Sequence, residues 1–283
     1  MNAAIPGMFD LKRFQAAHPT RYMDVGIAEG HSVSFAAGFA KNGMKPLLFH
    51  SSFFLPRAYD QLSHDLAINE LPAVILVGQG NISKSDITHQ GLFDIPMLNS
   101  IPNVRYLAPA DKQDLLAMID WALLQEKGPI AIRIPSGPVI EGDAPVISYS
   151  APHYQTIQKG QQVALLGLGN FLELAKNVAA LLASELGITA TIIDPQFASE
   201  LDEATLQELG KDHDCVVTFE DGSLTGGFGE MVSSFYGPAA VKTLNYGAQK
   251  EFTDNVPTAE LYERYHLNPQ QILEDLKELL IES

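Results

Sequence analysis

Short apolar runs alternate with helical patterns along this chain, and that alternation constrains the fold more than any other feature of the sequence. Residues 72–77 (Pro-Ala-Val-Ile-Leu-Val) are apolar throughout, which is typical of a strand in a parallel sheet covered on both faces. Helical patterns separate this run from strand patterns at 45–50, 103–108 and 130–134, and the alternation returns after residue 163. The sequence therefore predicts an α/β fold with two domains, each a mostly parallel sheet covered by helices.

Length and composition bound the organisation of the chain. Its 283 residues have room for two domains, which we predict at 1–140 and 153–283, with a linker at 141–152. A single cysteine, Cys215, excludes a disulfide framework within the chain and fits a reducing cytoplasm. The sequence has no signal-peptide pattern and no apolar run of membrane-spanning length. The net charge of −16 argues against nucleic acid and anionic membranes as partners.

The stretch 24–40 combines a short predicted strand, ending near Ile27, with a predicted helix rich in small residues. Glu29 lies at the junction, in the first turn of that helix, where free N–H groups and the positive helix end favour a carboxylate. An ordinary acidic residue at a helix start has the same pattern. This stretch alone therefore does not identify a site.

Two later blocks change that interpretation. Residues 52–65 read Ser-Phe-Phe-Leu-Pro-Arg-Ala-Tyr-Asp-Gln-Leu-Ser-His-Asp, and residues 88–94 read Thr-His-Gln-Gly-Leu-Phe-Asp. Together with 24–40, 133–137 (Arg-Ile-Pro-Ser-Gly) and 226–229 (Gly-Gly-Phe-Gly), they resemble the thiamine-diphosphate-dependent transketolase family. Within that family they are most similar to the C-terminal half of 1-deoxy-D-xylulose-5-phosphate synthases, which consists of a pyrimidine-binding domain and a C-terminal domain. The resemblance covers essentially the whole chain.

The resemblance implies a role for each residue that would surround the cofactor. Glu29 would be a catalytic carboxylate that shares a proton with the aminopyrimidine ring of thiamine diphosphate. The aromatic ring of Phe54 would stack on that ring, and offset stacking fixes a ring plane. Ile27 and Arg57 would border the same pocket. Thiamine diphosphate would carry out the organic chemistry, while the protein orients it and supplies charge.

A second set of residues would contact the substrate. His89 would lie over the reacting centre as a catalytic residue, since a histidine can donate or accept a proton near neutral pH. Asp86 would lie on the same loop. Ser51, Gln79 and Ser136 occupy the positions where the similar enzymes recognise a phosphorylated aldehyde with a tyrosine and two arginines. Because arginine is the usual fork for phosphate, we expect an acceptor that is not held by its phosphate in that way.

Two features of the family are missing from this sequence, and both point to a partner subunit. Family enzymes hold the cofactor diphosphate through Mg²⁺, using a Gly-Asp-Gly motif followed by an asparagine in a separate domain, and this sequence has no such motif. A first helix of the pyrimidine-binding domain is also missing, so another polypeptide would supply it or the sheet edge would be bare. We expect a split enzyme in which a separate N-terminal subunit holds the diphosphate and Mg²⁺, this chain holds no metal, and the assembly is a heterotetramer built on a homodimer.

The expected reaction is the transfer of a two-carbon unit from a ketose or 2-oxo acid to an aldehyde. Three alternatives remain: a pyruvate carboligase like 1-deoxy-D-xylulose-5-phosphate synthase, the β subunit of a 2-oxo acid dehydrogenase, and a non-catalytic regulatory subunit. Residues 88–94 argue against the dehydrogenase. The presence of Glu29, Phe54 and His89 argues against the regulator, because a scaffold has no physical need for these three residues.

Overall fold

Two sheets follow one another along the chain in the computed structural model, which describes residues 1–134, 137–138, 140–142 and 148–281. The first sheet is parallel throughout, with the order β1-β2-β4-β3: β1 (Leu47–Ser51), β2 (Ala73–Gly78), β3 (Arg105–Leu107) and β4 (Pro129–Ile134). The second has the order β5-β7-β6-β8-β9: β5 (Gln155–Gln158), β6 (Gln162–Gly167), β7 (Thr191–Asp194), β8 (His213–Ser223) and β9 (Lys242–Ala248). Among the strands that the structure describes, only β5 runs antiparallel to its neighbour. The predicted α/β fold with two mostly parallel sheets is confirmed.

Helices cover these sheets. They are α1 (Lys12–Ala17), α2 (Glu29–Lys41), α4 (Asp94–Asn99), α5 (Lys112–Leu124), α6 (Leu172–Leu186), α7 (Glu203–Asp212), α8 (Phe228–Tyr236), α9 (Thr258–Arg264) and α10 (Pro269–Ile281), with a continuous helical segment, α3, between α2 and α4. The segment α3 consists of a 3₁₀ turn (Leu55–Ala58), an α turn (Tyr59–Gln61) and a π turn (Leu62–Ala67). In the described part of the chain no helix is long and apolar enough to cross a membrane.

The strand predicted to end near Ile27 is not formed. Asp24 makes only an isolated bridge to Asn2, and its side chain accepts a hydrogen bond from the N–H of Gly26 at 2.9 Å. Gly26 has a φ of +72°, so the backbone turns here instead of continuing as a strand. The turn delivers the chain directly into α2.

The edge of β1 is not bare, which corrects one alternative offered above. Asn2 bridges both Asp24 and Phe49 in the parallel sense, and the N–H of Phe49 donates to the Met1 carbonyl at 3.0 Å. Residues 1–2 therefore lie along β1 and pair with its main chain. Covering a strand edge in this way removes the unpaired donors and acceptors that invite pairing with other chains.

The two sheets share their apolar interior. One buried cluster combines Val33 and Val77 of the first unit with Leu166, Val216 and Phe228 of the second. The boundary between the sheets is therefore packed as densely as a core, and each sheet restricts the position of the other. Cys215 is buried, and burial raises the pKa of its thiol to about 12, as expected for a core cysteine.

Candidate active site

The residues predicted to form a site collect at the carboxyl edge of the first sheet. β1 runs into residues 51–54 and β2 runs into a long loop, 79–93, and the two strands are parallel neighbours. In open parallel sheets, ligands bind at the carboxyl ends of the strands. The geometry of these two segments therefore decides which of the candidate residues can act together.

Glu29 is the first residue of α2, and only 5% of its side chain is exposed. Its Oε1 accepts a hydrogen bond from Nη1 of Arg57 at 2.8 Å, while Oε2 accepts none from the described residues. The helix start and the guanidinium both place positive charge beside this carboxylate. Ile27, two residues earlier, is 82% exposed. Glu29 thus offers one oxygen to a further donor, and an uncovered apolar side chain lies nearby in the sequence.

Phe54 is at the centre of a small aromatic cluster next to Glu29. The Arg57 guanidinium lies 4.9 Å from the Phe54 ring centroid. The ring also makes edge-on contacts with Phe53, at 4.6 Å between centroids, and with His89, at 5.6 Å. Contacts of this kind stabilise by about 0.5–1.5 kcal/mol beyond the burial of area. Through Arg57 and Phe54 the structure brings Glu29 and His89 into one cluster.

His89 is oriented by a tight turn that Asp86 closes. Asp86 Oδ1 accepts hydrogen bonds from the hydroxyl and the N–H of Thr88 and lies 3.0 Å from Nδ1 of His89. These bonds, the Thr88 hydroxyl bond first among them, lower the pKa of the Asp86 carboxyl to about 2. Asp86 is therefore ionised at neutral pH and engages Nδ1. The His89 side chain is 45% exposed, and Nε2 contacts none of the described polar groups.

Ser51 and Gln79 lie side by side at the ends of β1 and β2. The buried Ser51 hydroxyl donates to Oε1 of Gln79 at 3.3 Å. Gln79 has a φ of +60°, and its carbonyl oxygen would lie 1.8 Å from a Cβ at position 91, where the residue is Gly91. Only glycine permits this close crossing of the loop over its own start. The third residue of this predicted set, Ser136, lies outside the described residues.

Sequence reasoning missed a buried ion pair behind the loop. Nε of Arg133, in β4, lies 2.7 Å from Oδ2 of Asp94, and both side chains are buried. The Tyr106 hydroxyl donates to the same Asp94 oxygen, and Nη2 of Arg133 donates to the Asp221 carbonyl at 2.6 Å. Burial opposes the Arg133 charge, but Asp94 holds its pKa above the ordinary value. Both partners lie in the blocks quoted above, yet nothing in the sequence pairs them.

The Glu220 side chain lies inside the protein, against the N-terminus of α8. Its carboxylate accepts hydrogen bonds from the N–H groups of Phe228 and Gly229, at 2.9 and 2.8 Å. Burial raises the pKa of Glu220 to about 7. The turn before the helix is made by Gly226, with a φ of +74°. The glycine-rich motif 226–229 therefore binds a carboxyl group of the same chain.

His50 lies beneath α2 and was not predicted as part of the site. The Ser32 hydroxyl donates to the Glu29 carbonyl at 2.6 Å and lies 2.9 Å from Nε2 of His50. Because the single hydroxyl proton is used on Glu29, Nε2 of His50 is the donor in the second contact. Burial lowers the pKa of His50 to about 4, so the imidazole is neutral behind the Glu29 carboxylate.

No group of three or more His, Cys, Asp or Glu side chains within the described ranges is arranged to hold a metal ion. The cluster itself combines one buried carboxylate, one half-exposed imidazole and an aromatic surface between them. Such a set can share a proton with a ring nitrogen, stack on a flat ring and exchange a proton with an oxygen.

Comparison with known proteins identifies similar sequences over nearly the whole chain. The family model described as the transketolase pyrimidine-binding domain matches residues 3–139, and that of the transketolase C-terminal domain matches residues 153–272. The 1-deoxy-D-xylulose-5-phosphate synthase of Symbiobacterium thermophilum is 39% identical over 99% of this chain and 44% of its own length. That of Thermomicrobium roseum is 36% identical over 96% of this chain and 44% of its length. The chain thus spans less than half the length of these curated relatives.

Two solved structures share the fold of this chain, and the share of their own chains that it covers differs. A chain described as "Split gene transketolase, inactive beta4 tetramer" superposes with a TM-score of 0.86 at 24% identity, covering 98% of this chain and 89% of that one. The transketolase of Campylobacter jejuni superposes with a TM-score of 0.80 at 16% identity, covering 98% of this chain but 43% of its own. At these identities the likeness concerns the fold alone.

Proposed function

Because this chain belongs to the transketolase family, with a pyrimidine-binding and a C-terminal domain, we propose that it forms half of a thiamine-diphosphate site. The reaction is the transfer of a two-carbon unit from a ketose or 2-oxo acid donor to an aldehyde. The observation that carries the proposal is the single cluster of Glu29, Phe54 and His89 at the carboxyl edge of the first sheet.

The cluster fits the pyrimidine half of the cofactor. Oε2 of Glu29 is free of the described residues and suits a proton-sharing bond with a ring nitrogen. The half-buried Phe54 ring offers a face for stacking an aminopyrimidine. Arg57 is 56% exposed, so its guanidinium can move from its contact with Glu29 without leaving water. The exposed Ile27, two residues before Glu29, would add an apolar contact.

Bound thiamine diphosphate supplies the carbon centre that takes up and passes on the two-carbon unit. Glu29 holds the aminopyrimidine in the protonation state that this chemistry needs. His89 exchanges a proton with a substrate oxygen through Nε2, which faces no described polar group. Asp86 retains its charge at neutral pH and keeps Nδ1 engaged, so that Nε2 is the nitrogen that acts.

The diphosphate and its Mg²⁺ are held, in this proposal, by a separate N-terminal subunit. Two uncovered apolar surfaces support contact with another protein. Ile27 is 82% exposed. On α2 the exposed rings of His31 and Phe35 stack with centroids 5.6 Å apart, and the half-buried Phe39 ring lies tilted against Phe35 at 4.8 Å. Apolar surface of this kind in a soluble domain marks a contact with another protein. The same site would form if the diphosphate-binding domain were covalently continuous with this chain.

The two-chain arrangement is proposed by analogy with the structure described as a split gene transketolase, whose fold this chain shares with a TM-score of 0.86. We propose a heterotetramer built on a homodimer, in the cytoplasm.

A second candidate reaction is the pyruvate carboligation of 1-deoxy-D-xylulose-5-phosphate synthase, which the 39% identity favours. Ser51 and Gln79 argue against it. They stand where the resemblance implies a phosphate-binding tyrosine and arginine, and they form a neutral pair with each other. Charge-assisted hydrogen bonds contribute about 1.5–3 kcal/mol each, so their loss weakens selection for a phosphorylated acceptor by orders of magnitude.

The experiment combines this chain with the protein of the same genome that carries the Gly-Asp-Gly and asparagine motif. Calorimetry with thiamine diphosphate and Mg²⁺ is expected to show tight binding to the mixture and negligible binding to this chain alone. The mixture is then offered glyceraldehyde 3-phosphate and glyceraldehyde in competition, with preference expected for the unphosphorylated acceptor. Tight Mg²⁺-dependent binding to the isolated chain contradicts the shared site, and a strong preference for the phosphate favours the second candidate.

A further inference from the structure

The loop 79–93, which carries His89, is packed into the second domain. Ile82 and Leu92 belong to the buried cluster around the second sheet and are themselves buried. The Ile82 N–H donates to the Asp221 carboxylate at 2.7 Å, and the Leu92 carbonyl accepts from the N–H of Ser223 at 2.9 Å. Both ends of the loop are therefore fixed by β8, more than a hundred residues away in sequence.

Gln90, the residue after His89, adds a contact of a different kind. Its side chain is buried, and Nε2 donates to both the carbonyl and the hydroxyl oxygen of Thr253, the latter at 3.0 Å. Close by, the N–H of Asn255 donates to the Ser85 carbonyl at 2.8 Å. The segment between β9 and α9 therefore forms hydrogen bonds with the loop on both sides of the turn that carries His89.

Packing alone does not explain an amide at position 90. Oε1 of Gln90 is buried and has no hydrogen-bond partner among the described groups. A methionine would fill nearly the same volume without burying an unsatisfied acceptor. What an apolar side chain cannot supply is a directional bond to the Thr253 carbonyl. The amide is therefore explained by the position it fixes.

We propose that Gln90 is a positioning residue: its bond to Thr253 lets the second domain hold His89 edge-on against Phe53 and Phe54. The ring centroids of His89 and these phenylalanines are 4.9 and 5.6 Å apart. The importance of this position for catalysis rests on the role proposed above for His89. The second domain then sets the geometry of the reaction centre without touching the substrate.

The test follows the His89 ring directly in the folded chain. The chain holds eight histidines, so selective ¹³C labelling gives a resolvable imidazole spectrum in which His89→Gln identifies the His89 signals. Gln90→Met removes the bond to Thr253. Thr253→Val removes only the hydroxyl acceptor and keeps the carbonyl. Gln158→Met is the control for loss of an amide bond, because Nε2 of the exposed Gln158 also donates to a carbonyl, that of Ala190 at 2.8 Å, away from the loop.

In Gln90→Met the His89 signals are expected to move toward those of an exposed histidine, because the ring currents of Phe53 and Phe54 are lost, while the control leaves them in place. Thr253→Val should move them less and in the same direction, and it decides the matter if Gln90→Met does not fold. A displacement of about 1 Å can lower a rate by about 100-fold, so in the complete enzyme we expect kcat to fall 10- to 100-fold in Gln90→Met. The KM for the cofactor should be unchanged.

Unmoved His89 signals in a folded variant overturn the proposal, whatever the activity. If the signals move and turnover does not change, the positioning role holds and the catalytic role of His89 fails. The two proposals are thus separated by one pair of measurements.

Discussion

Replacing Glu29 by glutamine tests the proposed site most directly, because the structure predicts unequal effects on stability and on rate. Arg57, the ion-pair partner of Glu29, is 56% exposed and stays solvated without it. Such a pair contributes about 0–1 kcal/mol. A charge in the first turn of a helix contributes about 0.3–1 kcal/mol. Glu29→Gln, which keeps the shape of the side chain, should therefore lower the free energy of unfolding by no more than about 2 kcal/mol.

The effect on turnover is expected to be much larger. A neutral amide cannot share a proton with the aminopyrimidine ring, and the loss of a positioned proton-transfer group lowers rates by about 10²–10⁴. That range raises the activation free energy by about 3–6 kcal/mol, since each tenfold change corresponds to about 1.4 kcal/mol. The catalytic loss should thus exceed the stability loss across both ranges.

The assay measures kcat in the assembled enzyme at saturating cofactor and the unfolding free energy of the same variant in urea. Glu173→Gln serves as the control, because Glu173 also lies in the first turn of a helix and pairs with a lysine, Lys176, at 2.6 Å. It should lose a comparable amount of stability and no activity. Retention of kcat within about threefold in Glu29→Gln would refute the assignment.

Three further predictions follow from particular contacts. His89→Ala should lower kcat/KM by about 10²–10⁴ with little change in cofactor affinity by calorimetry, and a large loss of binding with normal chemistry would contradict its role. Between pH 4.5 and 7 the native Glu220 keeps a proton that the unfolded chain releases, so the wild type should lose about 3 kcal/mol of stability across that window. In Glu220→Gln, the free energy of unfolding measured in urea should depend less on pH across this window. A pH dependence equal to that of the wild type would exclude Glu220 as the cause. Asp94→Asn should cost about 3–5 kcal/mol in the same assay, because it leaves Arg133 buried without its counter-charge, and a loss below 1 kcal/mol would mean that water reaches the guanidinium.

The strands could be predicted from the sequence because uninterrupted apolar runs leave little choice. β2 lies within a residue of its predicted position and is buried along its whole length. The prediction for the stretch before α2 was wrong for a local reason: Asp24 and Gly26 close a turn where a short strand ending near Ile27 was predicted. α4, β5 and α9 were not predicted at all. Each is short, and the six- and seven-residue helices among them are too brief for helical periodicity to stand out.

The residues of the site also divide into those that could be predicted from the sequence and those that could not. Glu29, Phe54, Arg57 and His89 were chosen through resemblance to a family, and the structure brings them into one cluster, while their roles remain predictions. The residues that hold these four side chains in position could not be predicted from the resemblance. Gln90 and Thr253 are 163 residues apart, and no local pattern distinguishes a buried amide from an exposed one. Long-range polar contacts depend on how two domains dock, which periodicity does not encode.

The buried Arg133 and Asp94 pair is difficult to explain by stability alone. An apolar pair of similar volume is often neutral or stabilising in such a place, since two charges lose their hydration on burial. The ion pair differs from such an apolar pair because it makes several directional hydrogen bonds. Arg133 reaches the Asp221 carbonyl in the second sheet, and Asp94, which also receives the Tyr106 hydroxyl, begins the helix that follows the loop. Those bonds fix orientation as well as distance between the two domains, which is what a loop fastened to both of them requires.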